Sequence, residues 1–227
     1  MWFYLMVIVF IIVLAILKTN TVKGIMGERS VGKVVKKIAL QTGGLEMRDF
    51  MMRDARSSSQ IDNMLLTQKA LYVIEVKNYK GMIFGGPHQQ NWTVTVKHVN
   101  KKRGRGGRVY KRTNISKHQF YNPLKQNQTH INKITNLTDI QDTIPIINVV
   151  VFCRRALVKV EGTMPSNTYV ASINKLAKLI DQVESRTEYA LSLTEQMTIV
   201  DTLYRLNITD KRERKAHVKN LKVKYTK

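Results

Sequence analysis

The chain has 227 residues, 43% of them hydrophobic, and carries 38 lysines and arginines against 16 aspartates and glutamates. This length and apolar content allow one medium-sized domain with a buried core and exclude a wholly disordered chain. The single cysteine, Cys153, excludes an internal disulfide, and no Cys/His spacing is typical of a structural zinc site. A formal net charge of +22 predicts a polyanionic partner, either nucleic acid or anionic lipid.

Residues 1–17 form an unbroken apolar run that ends at Lys18. As a helix this run would span roughly 25 Å, close to the hydrocarbon thickness of a bilayer. A cleaved signal peptide is the main alternative, but no basic segment precedes the run and no small-residue cleavage site follows it. A buried core helix fits poorly with a segment that is apolar on every face. The sequence therefore predicts a single-pass membrane anchor over residues 1–18, with the rest of the chain in the cytoplasm because positive charge follows the anchor.

The body of the chain has the patterns of an α/β domain. Apolar residues with helical spacing predict a helix over residues 28–40, with Glu28 in or just before its first turn. A strand is expected at 45–52, and the β-rich segments 60–67 and 70–78 predict a hairpin. Residues 92–97 alternate as a further strand with Trp92 in the core. Residues 101–107 are expected to form a basic, glycine-rich loop.

The second half continues this alternation of helix and strand. Asn122-Pro123 starts a helix, and residues 146–152 form a continuous apolar run typical of a buried strand. Two more helices are expected, one over residues 172–183 and one that begins at a Ser192…Glu195 capping box. The resulting order is helix, strand, hairpin, strand, helix, buried strand, which indicates an α/β fold.

Three side chains of the predicted hairpin carry candidate chemistry. Glu75 and Lys77 lie two residues apart on one strand and project from the same face, while Asp62 lies on the facing strand. Two carboxylates brought together repel each other unless a cation lies between them, and Mg²⁺ or Mn²⁺ prefers such oxygen ligands. A bound ion would polarise a phosphoryl oxygen, and Lys77 would offset charge on the phosphate. The alternative is a chance pattern, because an acid and a lysine on one strand face commonly point to water.

The sequence around these residues resembles the NERD (nuclease-related) domain family of the PD-(D/E)xK restriction-endonuclease-like superfamily. The matching motifs follow the family's order, with QID at 60–62, VIEVKN at 73–78, the tryptophan at 92 and NPLKQ at 122–126. The resemblance implies a restriction-endonuclease-like αβββαβ core with Asp62 and Glu75 as ligands of Mg²⁺ or Mn²⁺ and Lys77 as the catalytic lysine. It also implies Glu28 as an accessory acid and Gln126 as a supporting residue on the later helix.

The residues by themselves leave two of these roles open. Glu28 is equally compatible with a solvent-facing acid that favours the helix dipole. Gln126 is equally compatible with a residue that caps or bridges elements of the fold. The histidines at 88, 98, 118 and 130 have no metal-ligand spacing, so each is expected at the surface or as a satisfied polar group.

Positive charge is concentrated in two segments. Residues 97–125 hold ten lysines and arginines and no acid, and residues 211–227 hold eight against the single Glu213. Beside a candidate phosphodiesterase site, the first segment predicts binding to a phosphate backbone, with a merely solvated loop as the alternative. The basic residues expected to bind nucleic acid are Lys101, Lys102, Arg103, Arg105, Arg108, Lys111 and Arg112. The second segment is suited to lie against anionic lipid.

These patterns divide the chain into an anchor (1–18), a NERD-like nuclease domain (27–153), a helical extension (154–210) and a basic tail (211–227). The expected function is that of a membrane-anchored bacterial nuclease that hydrolyses phosphodiester bonds of DNA, with RNA left open as a substrate. Two other classes remain as alternatives. One is a non-catalytic membrane tether that binds nucleic acid or a partner complex through its basic segments, and the other is an electrostatic lipid-binding protein.

Overall fold

A five-stranded sheet forms the centre of the fold, and a four-stranded sheet packs beside it. The computed structural model describes residues 2, 6, 20–55, 57–103, 109–153 and 156–216. The helices are α1 (Asn20–Thr42), α2 (Pro123–Leu137), α3 (Ile140–Thr143), α4 (Leu176–Glu184) and α5 (Leu193–Leu206), with a 3₁₀ turn (Ile173–Lys175) before α4. The strands are β1 (Leu45–Arg53), β2 (Ser58–Leu66), β3 (Leu71–Lys77), β4 (Gly81–Gly85), β5 (Asn91–Arg103), β6 (Val109–Tyr121), β7 (Ile146–Phe152), β8 (Ala156–Val160) and β9 (Thr168–Ser172).

The main sheet has the strand order β1-β2-β3-β7-β9. The first three strands form an antiparallel meander, whereas β7 and β9 run parallel to β3. Residues 71–76 of the central strand β3 are all buried, which explains why its sequence is apolar on both faces.

Helices cover both faces of the main sheet. On one face α1 and α4 pack through residues such as Val35 and Ile180, and on the other face α2 and α5 pack through residues such as Ile134 and Leu203. The order α1-β1-β2-β3-α2-β7 agrees with the αβββαβ order expected from the sequence.

The second sheet has the strand order β6-β5-β4-β8 and is mostly built from residues between β3 and α2. Trp92 at its base is fully buried and stacks on Phe152 of the main sheet with ring centroids 6.2 Å apart. The expectation that Trp92 belongs to the core is therefore confirmed. Because only residues 78–80 separate β3 from β4, this second sheet starts directly at the end of β3.

Strands β5 and β6 pair along their full length as a long antiparallel hairpin, from Asn91 opposite Tyr121 to Arg103 opposite Val109. Residues 97–100 and 109–119 are exposed, so the described hairpin residues 97–103 and 109–117, here called the β5–β6 arm, extend away from the buried core. The expected loop at 101–107 was wrong in part, because residues 101–103 continue strand β5. Arg105 and Arg108, at positions expected to bind nucleic acid, lie outside the described residues.

The structure confirms some of the other expectations and corrects others. The hairpin of β2 and β3, the buried strand β7 and the capping box of Ser192 and Glu195 at α5 are confirmed. Glu28 does not lie in a first helical turn, because α1 begins at Asn20; the apolar spacing marks only the part of the helix that packs on the sheet. The expected helical extension also contains the two short strands β8 and β9, and β9 completes the main sheet by pairing with β7.

Within the part of the chain that the structure describes, no helix is both long and apolar enough to cross a membrane. The predicted anchor, residues 1–18, lies outside the described residues apart from Trp2 and Met6. Of the basic tail, residues 211–216 are helical and the remainder lies outside the described residues.

Asn122 joins the second sheet to α2. It is fully buried, and its side-chain amide donates hydrogen bonds to the carbonyls of Gly86, Pro87 and Gln89 at 3.2, 3.1 and 2.8 Å. Its Oδ1 accepts from the backbone N–H of Leu124 at 2.9 Å and so caps α2. One side chain therefore fixes the β4–β5 turn against the start of the helix.

Replacing this residue in Asn122→Ala should lower the free energy of unfolding by about 2–4 kcal/mol, because the cap is lost and buried carbonyls lose their donor. Urea unfolding followed by circular dichroism measures the change. The matched control Asn136→Ala, at an exposed position of the same helix, should change stability by less than about 0.5 kcal/mol. Equal effects of the two substitutions would contradict the joining role.

Candidate active site

Asp62 and Glu75 lie side by side at one end of the main sheet. In the antiparallel register of β2 and β3, Asn63 pairs with Ile74, so Asp62 and Glu75 occupy the next opposed positions. Asp62 Oδ2 accepts a hydrogen bond of 2.8 Å from the backbone N–H of Val76. Burial, followed by the negative charge of Glu75, raises the pKa of Asp62 well above its usual range.

Lys77 lies on the same face of β3 as Glu75 and contacts it directly. Its Nζ is 2.5 Å from Glu75 Oε1 and 2.9 Å from Gln126 Oε1, so strand β3 and helix α2 both hold the ammonium group. Burial opposes ionisation of both partners, but their mutual attraction outweighs it. The pKa of Glu75 is therefore lowered and the pKa of Lys77 is raised.

His130 lies one helical turn beyond Gln126 on α2 and faces the same site. Its Nδ1 is hydrogen-bonded to Ser59 Oγ at 2.6 Å, and its Nε2 lies 3.7 Å from Glu75 Oε2. Nε2 is buried without a hydrogen-bond partner in the described residues. When the Ser59 hydroxyl donates to Nδ1, the ring proton is on Nε2 and is directed toward Glu75. The expectation that His130 is a surface or fully satisfied group was wrong.

Two further carboxylates approach from neighbouring elements. Asp49, at a left-handed position of β1 with φ of 51°, accepts a hydrogen bond of 2.5 Å from Gln60 and pairs with Arg214 at 2.5 Å. Glu28 of α1 is exposed, yet burial of part of its side chain, followed by the charges of Asp49 and Glu75, raises its pKa. Asp49 and Arg214 belong to the site although the sequence did not single them out.

The four carboxylates of Glu28, Asp49, Asp62 and Glu75 are here called the acidic cluster. In the described part of the chain, the cations that interact with it are Lys77 and Arg214. Four carboxylates against two cations leave an excess of negative charge at a partly buried position. Such an arrangement is stabilised by a further cation or by uptake of a proton.

The donor set at this position fits a hard divalent ion. Asp62 and Glu75 supply carboxylate oxygens, which Mg²⁺ and Mn²⁺ prefer. Within the described residues, no group of three or more His, Cys, Asp or Glu side chains is placed to hold a metal ion. Asp62 and Glu75 would supply two carboxylates, and one or two are usual where water and substrate phosphate complete the shell of Mg²⁺.

Of the basic residues expected to bind nucleic acid, those within the described part of the chain belong to strands of the second sheet. Lys111 and Arg112 are exposed on β6, and the backbone positions of Lys101, Lys102 and Arg103 are on the paired strand β5. The structure thus brings together Asp62, Glu75, Lys77, Glu28 and Gln126, while Lys111 and Arg112 are exposed on the β5–β6 arm.

The model of the nuclease-related domain family, NERD, matches residues 23–153, which is more than half of the chain and includes the whole acidic cluster. The chain belongs to the NERD family. A relative in Bacillus anthracis, printed as an uncharacterized protein, is 29% identical over 205 residues, which cover 90% of this chain and 86% of the relative. No solved structure matches the chain significantly.

Membership of the NERD family indicates, in general terms, a nuclease-related function for this chain. The matched region ends with Cys153, directly after β7, so it covers α1 through β7 and includes the β5–β6 arm. Arg214 and the strands β8 and β9 lie beyond it. Residues after the matched region therefore complete it in two places. Strand β9 pairs with the edge strand β7, and Arg214 forms an ion pair with Asp49.

Because the folded state raises the pKa of Asp62, it binds this proton more tightly than the unfolded chain does. The carboxyl therefore costs no stability below its ordinary pKa of 3.8, and the full cost is present once the pH exceeds the folded value. Asp62→Asn keeps an acceptor for Val76 and removes the charge. This variant should be more stable than the parent at neutral pH by about 1 kcal/mol or more.

Thermal or urea unfolding as a function of pH checks this expectation, and the gain should shrink as the pH falls toward 4. The control Asp181→Asn removes an exposed carboxylate of α4 and should shift stability by less than about 0.5 kcal/mol. A destabilised Asp62→Asn variant at neutral pH would show that the carboxylate is not held against repulsion.

Proposed function

We propose that this NERD protein is a membrane-anchored nuclease that hydrolyses phosphodiester bonds of DNA with Mg²⁺ or Mn²⁺. The observation that carries the proposal is the pairing of the Asp62 and Glu75 carboxylates beside the Lys77 ammonium at the end of the main sheet. The ion pair of Glu75 with Lys77 does not by itself require a second carboxylate, that of Asp62, beside it. A divalent ion held by Asp62 and Glu75 would account for the presence of both carboxylates.

Each group of this chain has a distinct part in the proposed reaction. When bound, the metal ion supplies Lewis-acid polarisation of a phosphoryl oxygen and an acidified water. Lys77 is held by Glu75 and Gln126, so its ammonium is fixed in place to stabilise negative charge that develops on the phosphate. Glu28 lies exposed beside the cluster with a raised pKa, which suits it to exchange a proton with the reacting groups.

The order of elements supports a fold of the restriction-endonuclease type. In the main sheet α1, β1, β2 and β3 are followed by α2 and a parallel β7, and the candidate residues come from β2, β3 and α2. Strands β4, β5 and β6 of the second sheet are an insertion into this order and leave the relation of β2 to β3 unchanged. We accordingly assign the site to the PD-(D/E)xK type as part of the proposal.

A second candidate function, that of a non-catalytic tether for nucleic acid, is favoured by the exposed and basic β5–β6 arm. A tether needs the arm and no metal. A nuclease needs Asp62 and Glu75 in addition, so the two functions differ in how they respond to changes in the acidic cluster.

The cleavage experiment uses the full-length chain in non-ionic detergent with linear and circular DNA, in the presence of Mg²⁺, Mn²⁺ or a chelator. Glu75→Gln should reduce metal-dependent cleavage by about 10³-fold or more, because a charged ligand for the ion and the partner of Lys77 are lost together. Gel analysis of the DNA measures the rate. The control Glu188→Gln, at an exposed position far along the chain, should cleave at the rate of the parent.

The outcomes separate the two candidate functions. Cleavage that needs metal and disappears in Glu75→Gln supports the nuclease. Unchanged cleavage in that variant would remove the site assignment, and salt-sensitive binding without cleavage under any metal would favour the tether.

Attachment to the cytoplasmic face of a bacterial cell membrane is proposed from the apolar run of residues 1–17. The full-length chain, expressed in a bacterium, should sediment with membranes and should be released by detergent but not by high salt. Replacing Val9 and Ile12 with lysine should shift it to the soluble fraction, since each charge near the centre of a spanning helix costs about 3 kcal/mol. Release of the parent by salt alone would instead indicate electrostatic attachment through the basic segments.

A further inference from the structure

The β5–β6 arm is an uncovered two-stranded ribbon. Its described strand residues are 97–103 of β5 and 109–117 of β6, which correspond to roughly 25 Å of extended chain. Residues 97–100 and 109–119 are exposed on both faces of the ribbon. Isolated two-stranded hairpins are only marginally stable in water, so an arm of this length is best explained by a partner that covers it.

Charge identifies the chemistry of that partner. No acidic residue occurs between Asn91 and Tyr121. None of the ion pairs found within the described residues involves the arm. The arm therefore calls for a partner with many negative charges.

The cations lie on both faces of the ribbon. The register sets Lys97 opposite Ile115 and Lys117 opposite Thr95, so these two lysines are diagonal neighbours on one face. Arg112, next to Lys111 along β6, projects from the other face. A ribbon with positive charge on both faces is suited to lie between two walls of negative charge.

Shape then separates duplex from single-stranded nucleic acid. Residues 97–100 and 109–119 are exposed on an uncovered ribbon, so a partner that surrounds this ribbon has to supply the concave surface. The major groove of B-DNA is about 12 Å wide, has phosphates along both edges, and admits a two-stranded ribbon. Binding of single strands relies on grooves with several aromatic stacking platforms, whereas Tyr110 is the one Phe, Tyr or Trp among residues 97–100 and 109–119.

The base of the arm is joined to the acidic cluster through short, rigid connections. β6 ends at Tyr121, Asn122 caps α2, and Gln126 in the first turns of α2 contacts Lys77. The burial of Trp92 and Phe120 fixes the base of the ribbon against the main sheet. A polymer held along the arm is thereby directed to the end of the sheet where the carboxylates lie.

We propose that the β5–β6 arm lies in a groove of double-stranded DNA and holds the duplex against the acidic cluster. The inference rests on the proposed function and deepens it by naming duplex DNA as the substrate class. Lys97, Lys111, Arg112 and Lys117 contact the phosphates that border the groove.

The test measures binding of the full-length chain, in non-ionic detergent with a chelator, to a labelled duplex and to its separated strands. Fluorescence anisotropy over a series of salt concentrations gives the slope of log K against log salt. The triple variant Lys111→Gln, Arg112→Gln, Lys117→Gln should lower the magnitude of the duplex slope by about 2.7, since each lost phosphate contact contributes about 0.9. Its slope for single strands should change by less than about 1.

The matched control removes two lysines and one arginine from another exposed surface, in Lys175→Gln, Lys178→Gln, Arg186→Gln. Both of its slopes should equal those of the parent. A second variant shortens the arm by replacing residues 100–112 with Asn-Gly, which joins Val99 to Thr113 at positions that already face each other. This variant should lose the preference for duplex over single strands and keep the folded body.

Every outcome decides the inference. An unchanged duplex slope in the triple variant, or an equal loss for duplex and single strands, overturns the groove assignment. Binding to vesicles that contain anionic lipid is measured in parallel. If the triple variant loses vesicle binding and keeps duplex binding, the ribbon is a lipid contact. Because binding is measured without metal, a failure of the parent to cleave DNA removes the proposed nuclease activity and leaves this result standing.

Discussion

The repulsion between two carboxylates that lie side by side at a partly buried position is the constraint on which the structure of this NERD protein depends. Asp62 and Glu75 are held together by the hairpin of β2 and β3, whose strands are locked between helices on both faces. Lys77 balances one negative charge and is itself fixed by Gln126 from α2. The sheet, both layers of helices and the start of α2 therefore all contribute to holding an arrangement that the isolated hairpin would not adopt.

The two sheets have different structural roles. The main sheet provides a rigid frame for the acidic cluster, and the second sheet provides an extended basic surface that begins beside it. Their connection is short on both sides, through residues 78–80 and through Asn122. In the described part of the chain, no ion pair joins the acidic cluster to Lys97, Lys111, Arg112 or Lys117, so these cations leave the carboxylates of the cluster unneutralised.

Local sequence patterns predict the parts of this fold that local physics decides. The apolar run of β3, the turn before it and the capping box of α5 depend on neighbours in the chain, and they are where the sequence indicates. Strands β4, β8 and β9 have five residues each, too few to show a period, and β8 and β9 pair with distant parallel strands.

The site shows the same division. The adjacency of Asp62, Glu75 and Lys77 follows from one hairpin and could be predicted. His130 has no metal-ligand spacing, but it lies one helical turn after Gln126. This spacing places both side chains on the same face of α2 and could have predicted that His130 faces the site. Asp49 depends on a left-handed backbone within a strand, and Arg214 lies 165 residues away from it in the chain, so no local pattern indicates either.

The pairing of β9 with β7 places part of the main sheet outside the region that the family model matches. The family match ends with Cys153, but the outer edge of β7 is covered by β9, and α4 and α5 cover apolar faces of the same sheet. A chain cut at the end of the match would expose a row of unpaired N–H and C=O groups beside open apolar surface, which is the usual starting point for aggregation. In this protein the segment that the family model matches is smaller than the set of elements that builds the main sheet, and residues after the match complete its core.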